Sequence, residues 1–546
     1  MSAILGFFWP VIYACSAYAV YRLIRFVTHP WFTHLRYLHG PPSASLFYGN
    51  LKEMFDTDNE VMLEERVEQY GKTYRYHGFL NMHRIFTTDL KAINHILTHS
   101  MDFQKPRASR FILSRIMGEG VLVVEGEEHR KQRRVMNPAF GPAQIRDLAG
   151  MFVNKAIELR DFWDSAITET NDSSRIDVFD GLTKTTLNVI GSAGFNYEFD
   201  ALNPSKNSEL LKAFNTVFST NKQRFSVLPA LQRAIPILRK LPGTRLKEFE
   251  EARDMMQRIG MELVQEKKAA VIQSLAAEKN GGSVGRNDVH GRDLLTTLIK
   301  ANMATDLPDH LKLSDDDVVW QVPTFLVAGH ETTSSGVTWC LYALTQAPEV
   351  QKKLREELFT LDTETPTMDE LNSLQYLDAV VRETLRVHAP VAATIRESTK
   401  DTVLPLGTPY TDTRGQVHHS ILLEKDTVVL IPILAINRAK SLWGEDSYEF
   451  KPERWESPPE AISEIPGVWS NMLTFIGGPR ACIGYRFTLV EMKALIFTLV
   501  RAFEFELAVP ANDIRKRSEM TQRPIVKSEI EKGNQMPLLV KRHVRA

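Results

Sequence analysis

Along much of the chain apolar residues recur every three or four positions among charged ones, the period of a helix with one buried face. Leu246–Lys268 and Glu349–Leu358 are of this kind. Ser314–Leu344 is far more apolar and predicts a long buried helix, opened by Ser314 with Asp317 three residues on and followed by Ala347 and Pro348. Pro323 inside it lacks the N–H that a helix interior uses, so a bend is expected there. Strand-like runs such as "DTVVLIPILAI" (Asp426–Ile436) are fewer, and the pattern as a whole predicts a mainly helical fold with a small β portion. "AEKNGGSVGRNDVHGRD" (Ala277–Asp293) has no apolar period and reads as a flexible connection between two helices. Gly281–Gly285 in it fit G-x-S-x-G, but a nucleophile elbow turns out of a buried strand, and Ala277–Asn280 are polar helix formers.

The first residues differ from the rest. Met1–Tyr21 carry no charged side chain, and about 20 such residues in a helix match the hydrocarbon thickness of a bilayer. Arg22, Arg25 and Arg36 follow with no acid before Glu53. The expectation is one membrane span, 1–22, in contact with membrane lipid, the body facing the cytoplasm and the protein residing in the endoplasmic reticulum. A cleaved signal peptide would carry its positive charge before the apolar run and end in small residues, whereas this run ends in Tyr21 and Arg22. Residues 23–50 then read as a basic, Pro-rich connector, with "LHGPPSASLFYGN" at Leu38–Asn50, and 51–546 as a single domain. With 43% hydrophobic and 24% charged residues and a net charge of -1, nothing in the charge balance points to nucleic acid. Three cysteines, Cys15, Cys340 and Cys482, make no disulfide framework and suit a reducing compartment.

Cys482 stands in "TFIGGPRACIGYRF" (Thr474–Phe487), just before an apolar helical pattern. A thiol there meets unpaired backbone N–H groups and the positive end of a helix dipole, with Arg480 close in sequence, and each favours the thiolate. A thiolate is a nucleophile or a metal ligand. Zinc would need more ligands than one cysteine, and no C-x-x-C or paired-histidine motif supplies them. A single thiolate suits a metal whose other ligands belong to a cofactor, as in haem; Gly478 and Gly484 would let the backbone approach a flat macrocycle, and Arg480 could pair with a propionate. The plainer alternative is a buried structural cysteine in a glycine-rich turn.

Phe475, Gly478, Arg480, Cys482 and Gly484 together resemble the haem-binding loop Phe-x-x-Gly-x-Arg-x-Cys-x-Gly of the cytochrome P-450 family, in its eukaryotic microsomal form. The resemblance implies haem b with Cys482 as axial ligand and three further segments. In the long helix, Ala328, Gly329, His330, Glu331, Thr332 and Thr333 resemble the family's acid–alcohol pair: Thr332 would hydrogen-bond dioxygen, Glu331 would feed protons toward it, and Ala328 and Gly329 would shape an oxygen groove. The alternative is that these hydroxyls bond back to helix carbonyls. Glu383 and Arg386 with Arg454 of "FKPERW" resemble a structural Glu-Arg-Arg cluster bracing the cysteine loop. In "GEEHRKQRRVMNPAF" Arg133 would meet a propionate, with His129 where the family commonly has tryptophan, and Arg130, Lys131 and Arg134 could dock an acidic electron donor. Arg396 matches another propionate partner.

The implied reaction is insertion of one oxygen atom from O2 into a lipophilic small molecule, terpenoid, sterol or fatty-acid-like, in secondary metabolism. Electrons would come from NADPH through a separate flavoprotein reductase. A haem-thiolate isomerase or dehydratase working without O2, and a non-catalytic haem sensor, are the alternatives; Glu331 with Thr332 argues against both. Pocket candidates by family position are Phe111–Leu113, Phe325–Gly329, Val391–Thr394 and a turn at Pro524–Val526.

Overall fold

A computed structural model describes residues 28–55, 60–167, 173–203, 244–277, 293–304, 307–518 and 520–544, with scattered positions between 13 and 25. The chain divides into two compact units, one of residues 1–103 and 394–432, the other of 104–393 and 433–546. The glycine-rich segment with the G-x-S-x-G pattern lies almost wholly outside the described residues.

The expected membrane span is not found. Among the described residues no helix is long and apolar enough to cross a membrane. The expectation of a single-pass protein of the endoplasmic reticulum falls with it. Most of the expected span, residues 1–12 among them, lies outside the described residues.

The first unit is built on a sheet. Helices α1 (Glu60–Tyr70) and α2 (Leu90–Thr98) accompany strands β1 (Thr73–His77), β2 (His83–Thr87), β3 (Phe103–Gln104), β5 (Thr394–Ser398) and β8 (Val428–Ile431), which lie in the order β1-β2-β8-β5-β3. Central β8 is buried along its whole length, which is why it reads as an unbroken apolar run. Pro432 ends it, and the second half of the strand-like run is a short helix, Ile433–Asn437. A separate hairpin pairs β6 (Thr402–Thr411) with β7 (Val417–Leu423). Asp89 caps α2 through Ala92 N–H at 3.0 Å and also accepts from Gly407 and Thr408 of β6.

The second unit is mainly helical: α3 (Arg107–Met117), α4 (Gly126–Met136), α5 (Pro142–Ala166), α6 (Val178–Phe195), α7 (Thr244–Ala277), α8 (Leu294–Met303), α9 (Asp315–Val319), α10 (Gln321–Gln346), α11 (Pro348–Leu358), α12 (Gln375–Val387) and α13 (Tyr485–Ala502). A sheet β4-β12-β9 (Ser173–Asp177, Pro537–Arg542, Phe503–Leu507) and a hairpin of β10 (Ile514–Ser518) with β11 (Gln522–Val526) complete it. The long helix expected from Ser314 has its capping box, Ser314 with Asp317, but it breaks at Trp320 into α9 and α10. Pro323 explains the place: it cannot donate to the Val319 carbonyl, and its ring crowds that carbonyl, so the first segment stops at Val319. Buried α10 packs on α6, α12 and α13. Its approach to α6 is close, for a Cβ on Gly329 would lie 2.9 Å from Ile190 Cδ1 and Cγ1.

Candidate functional site

The cysteine loop runs into α13, whose N-cap is Gly484. It closes on itself: Cys482 N–H donates to the Phe475 carbonyl at 2.9 Å and Ala481 N–H to that of Gly478 at 3.0 Å. Gly478 sits at φ +69°, the left-handed region that favours glycine. Neighbouring Gly477, which sequence reasoning passed over, is required by space instead, since a Cβ there would stand 2.0 Å from the Pro466 carbonyl oxygen. Gly484 is less constrained, the nearest neighbour of an added Cβ being the Phe140 ring at 3.8 Å. Phe475 is buried and meets Trp469 edge-on at 5.7 Å.

The charge beside the thiol is not the one expected. Burial raises the Cys482 pKa, while the Gly484 backbone N–H and Arg133 pull it down. Arg133, on α4, donates Nη1 to the Ala481 carbonyl at 2.6 Å and Nε to Asn137 Oδ1 at 3.0 Å. Arg480 instead pairs with Glu125. In the metal-free protein desolvation therefore outweighs the helix terminus and the cation, and the thiol is neutral. A metal ion at Sγ reverses that balance, because a coordinating thiol gives up its proton.

Around Arg480 the structure gathers several cations and one enclosed acid. Glu125 takes Lys105 N–H at 3.1 Å on Oε1, with Lys105 Nζ at 3.5 Å, and its Oε2 forms an ion pair with Arg480 Nη2 without accepting a hydrogen bond. Burial, then the Arg110 charge, lower the Arg480 pKa to about 10, and its Nη1 is buried without a hydrogen-bond partner. His129, one turn before Arg133, is buried, and desolvation followed by Lys105 and Arg133 takes its pKa to about 4. It is neutral at neutral pH. Lys105 and Arg480 meet Glu125, with Arg110 beside Arg480 and Arg133 beside His129, a gathering of positive charge that a ligand with two carboxylates would help to neutralise. With the orphaned Arg480 Nη1 and the half-buried Cys482 thiol, these residues fit a haem.

The loop is braced from behind. Arg386 holds Glu383 through two bonds of 2.7 and 2.9 Å, both side chains fully buried, and Arg454 Nε reaches Glu383 Oε1 at 3.4 Å. Trp455 Nε1 and Lys451 N–H also donate to Glu383, at 3.0 Å each. Arg386 Nη1 extends the cluster to the Asn437 carbonyl at 3.0 Å; the Asn437 side chain accepts Leu473 N–H at 3.0 Å and donates to Thr474 Oγ1 at 2.8 Å, at the start of the cysteine loop. Asn437 completes the brace and was not singled out from sequence.

At the centre of α10, Ala328 is exposed and Gly329 and Thr332 are half-buried, although almost every other residue from Gln321 to Leu344 is buried. A small-residue stripe therefore opens onto space within a helix otherwise enclosed. Gly329 contributes by admitting α6 rather than by lining that space alone. Thr332 Oγ1 donates to the Ala328 carbonyl at 2.7 Å, so its proton is engaged within the helix and its lone pairs stay available. Ser334 bonds back to the Glu331 carbonyl in the same way, at 3.2 Å. Glu331 is buried and forms an ion pair with Arg523 of β11. Thr186 of α6 donates to the His330 carbonyl at 3.1 Å, and burial, then Arg523, lower the His330 pKa to about 3.

Arg396 lies in the first unit, buried on β5, donating to Thr394 Oγ1 at 2.7 Å and the Ile395 carbonyl at 2.8 Å; burial lowers its pKa to about 10. Of the pocket candidates, Phe111–Leu113 are half-buried on α3, Val391–Ala393 form a loop, and Pro524–Val526 belong to strand β11 rather than to a turn. Arg130, Lys131 and Arg134 lie on α4, where Arg130 pairs with Glu127 at 2.6 Å.

Comparison with known proteins gives one consistent result. Residues 39–529 match the model of the cytochrome P-450 family. Cytochrome P-450 monooxygenase 205 of Postia placenta is 56% identical over 97% of this chain and 96% of its own length. Cytochrome P-450 monooxygenase 128 of the same organism is 52% identical over 98% of each chain. Cytochrome P-450 monooxygenase claQ of Ampulloclitocybe clavipes is 36% identical over 92% of this chain and 93% of its own.

Proposed function

The chain belongs to the cytochrome P-450 family and is a monooxygenase of it, and from that premise we propose that it inserts one atom of O2 into a lipophilic small molecule of terpenoid, sterol or fatty-acid type, within secondary metabolism. NADPH electrons reach it through a separate flavoprotein reductase. The haem domain is placed in 51–546, with 23–50 as its basic, Pro-rich connector.

The Cys482 thiolate would hold a haem, which would supply the activation of O2. Arg133 and Arg480, with His129 beside them, would hold its carboxylates, and Arg396 is assigned to the same task. Gly478 and Gly484 shape the cysteine loop, and Phe475 packs within it. Glu383, Arg386 and Arg454 fix the loop through Asn437 and Thr474. Glu331 is the carboxylate that feeds protons onward, taking each up before giving it on, and Thr332 the hydroxyl that accepts and passes a proton on; the Ala328–Gly329 step leaves room for a small ligand beside them. Phe111–Leu113 and β11 are the walls assigned to substrate. The accessible stripe at Ala328 and Thr332 in a buried helix, next to a carboxylate, carries the reading: a haem sensor, or a haem-thiolate isomerase or dehydratase working without O2, has no use for an acid beside an open hydroxyl.

Reconstitution with a flavoprotein reductase, NADPH and ¹⁸O2 tests it. One labelled oxygen atom in the product, with NADPH consumption that stops without O2, is the expected result. Product formed anaerobically would overturn it.

A further inference from the structure

Glu125 occupies the N-cap of α4, where an acidic side chain ordinarily accepts the first free backbone N–H groups of its helix, yet it makes no such bond. Its side chain turns to Lys105 and Arg480 instead. The carboxylate is 4% exposed and Arg480 6%. An acid so enclosed persists only when paired, and this pairing joins three segments far apart in the sequence: the stretch before α3, the start of α4 and the cysteine loop. The contact with Arg480 is one-armed. Nη2 faces Glu125, while Nη1 stays buried with no partner. A guanidinium is a rigid planar fork, so fixing one arm fixes where the other sits.

We propose that Glu125 is the positioning residue for the carboxylate edge of the haem, clamping Arg480 and Lys105 so that the open Arg480 Nη1 meets a propionate. This rests on the haem-thiolate reading above. Glu125 itself does not touch the cofactor; it sets the direction of the groups that do. As a buried negative charge paired with Lys105 and Arg480 it also offsets part of their positive field, so its removal would raise the potential of an iron bound nearby.

The test compares the wild-type holoprotein with Glu125→Gln and Glu125→Ala by haem transfer to apomyoglobin, midpoint potential and the CO difference spectrum. Glu125→Ala is expected to lose haem about tenfold faster, the effect of one misdirected charge-assisted bond, with Glu125→Gln between it and wild type. In both the potential rises, because a negative charge near the iron has gone, and the thiolate CO band keeps its position. Should Glu125→Ala fail to fold, Glu125→Gln decides alone. Wild-type transfer rate and wild-type potential in Glu125→Gln overturn the proposal, as does equal haem loss in both variants at unchanged potential, the mark of a purely structural residue. A wild-type protein without the thiolate band instead refutes the haem-thiolate reading beneath it.

Discussion

Alanine at position 329 is expected to push α6 away from α10 rather than to obstruct the space beside Thr332. The added methyl would lie 2.9 Å from Ile190 Cδ1 and Cγ1 and 3.3 Å from its Cβ, against about 3.5 to 4.0 Å for carbon atoms at ease. Two effects compete. Alanine gains about 1 kcal/mol of helix propensity over glycine, and overpacking a closed interface costs about 1 to 3 kcal/mol. The clash wins by roughly 1 kcal/mol, because three atoms of a β-branched side chain must move together and Ile190 is 3% exposed. Ile190→Ala alone costs about 2 to 5 kcal/mol through the cavity it leaves. In the double variant the new methyl enters that cavity, so the double is less destabilised than the sum by about 1 kcal/mol or more. Urea midpoints of the ligand-free protein at constant slope give the cycle, and product formed per NADPH gives the functional arm. Additivity within about 0.5 kcal/mol would refute the contact. Full stability with reduced product per NADPH would show that Gly329 serves the groove instead.

Three further outcomes are expected. Glu383→Gln leaves two buried arginines facing a neutral amide and destabilises by roughly 3 to 5 kcal/mol, with a fall in haem bound per protein; a wild-type haem ratio and urea midpoint would contradict the brace. Thr332→Ala removes the half-buried hydroxyl, so product per NADPH drops while the haem spectrum is unchanged, and coupling equal to wild type would count against its role in proton transfer. His129 and His330 are held neutral with pKa values near about 4 and about 3, below the roughly 6.5 of an unfolded chain. Their stability contribution is whole above pH 6.5 and is lost as pH falls toward those values, because the unfolded chain takes up protons that the folded one refuses, by about 1.4 kcal/mol per unit for each. A urea midpoint flat from pH 7 to pH 5 would contradict this.

What could be read from the chain was whatever depends on local spacing. The capping box at Ser314 and Asp317 and the i, i+3 pair of Glu383 and Arg386 are short-range consequences of residue type, and each has its counterpart in the structure, whereas Pro323, expected to bend one long helix, lies where that helix divides in two. The cysteine loop was legible because five positions within ten residues match a known pattern, though its electrostatics were not. Which cation stands beside Cys482 depends on a helix more than three hundred residues away, and the pairing of Arg480 with Glu125 moved that role to Arg133. Arg523 was hidden for the same reason, 192 residues from Glu331. Gly329 shows a different gap, because whether a Cβ fits is decided by the side chain that crosses, here Ile190. The expected span falls largely outside the described residues, among which no helix is long and apolar enough to cross a membrane.

The central claim is that Cys482 is the axial thiolate of a haem. The CO difference spectrum of the reduced protein, taken for wild type and Cys482→Ser at matched haem content, tests it most directly. The account predicts the red-shifted band of a thiolate-ligated haem in the wild type and its loss in the variant. A wild type without that band, or a variant that keeps it, would contradict the account.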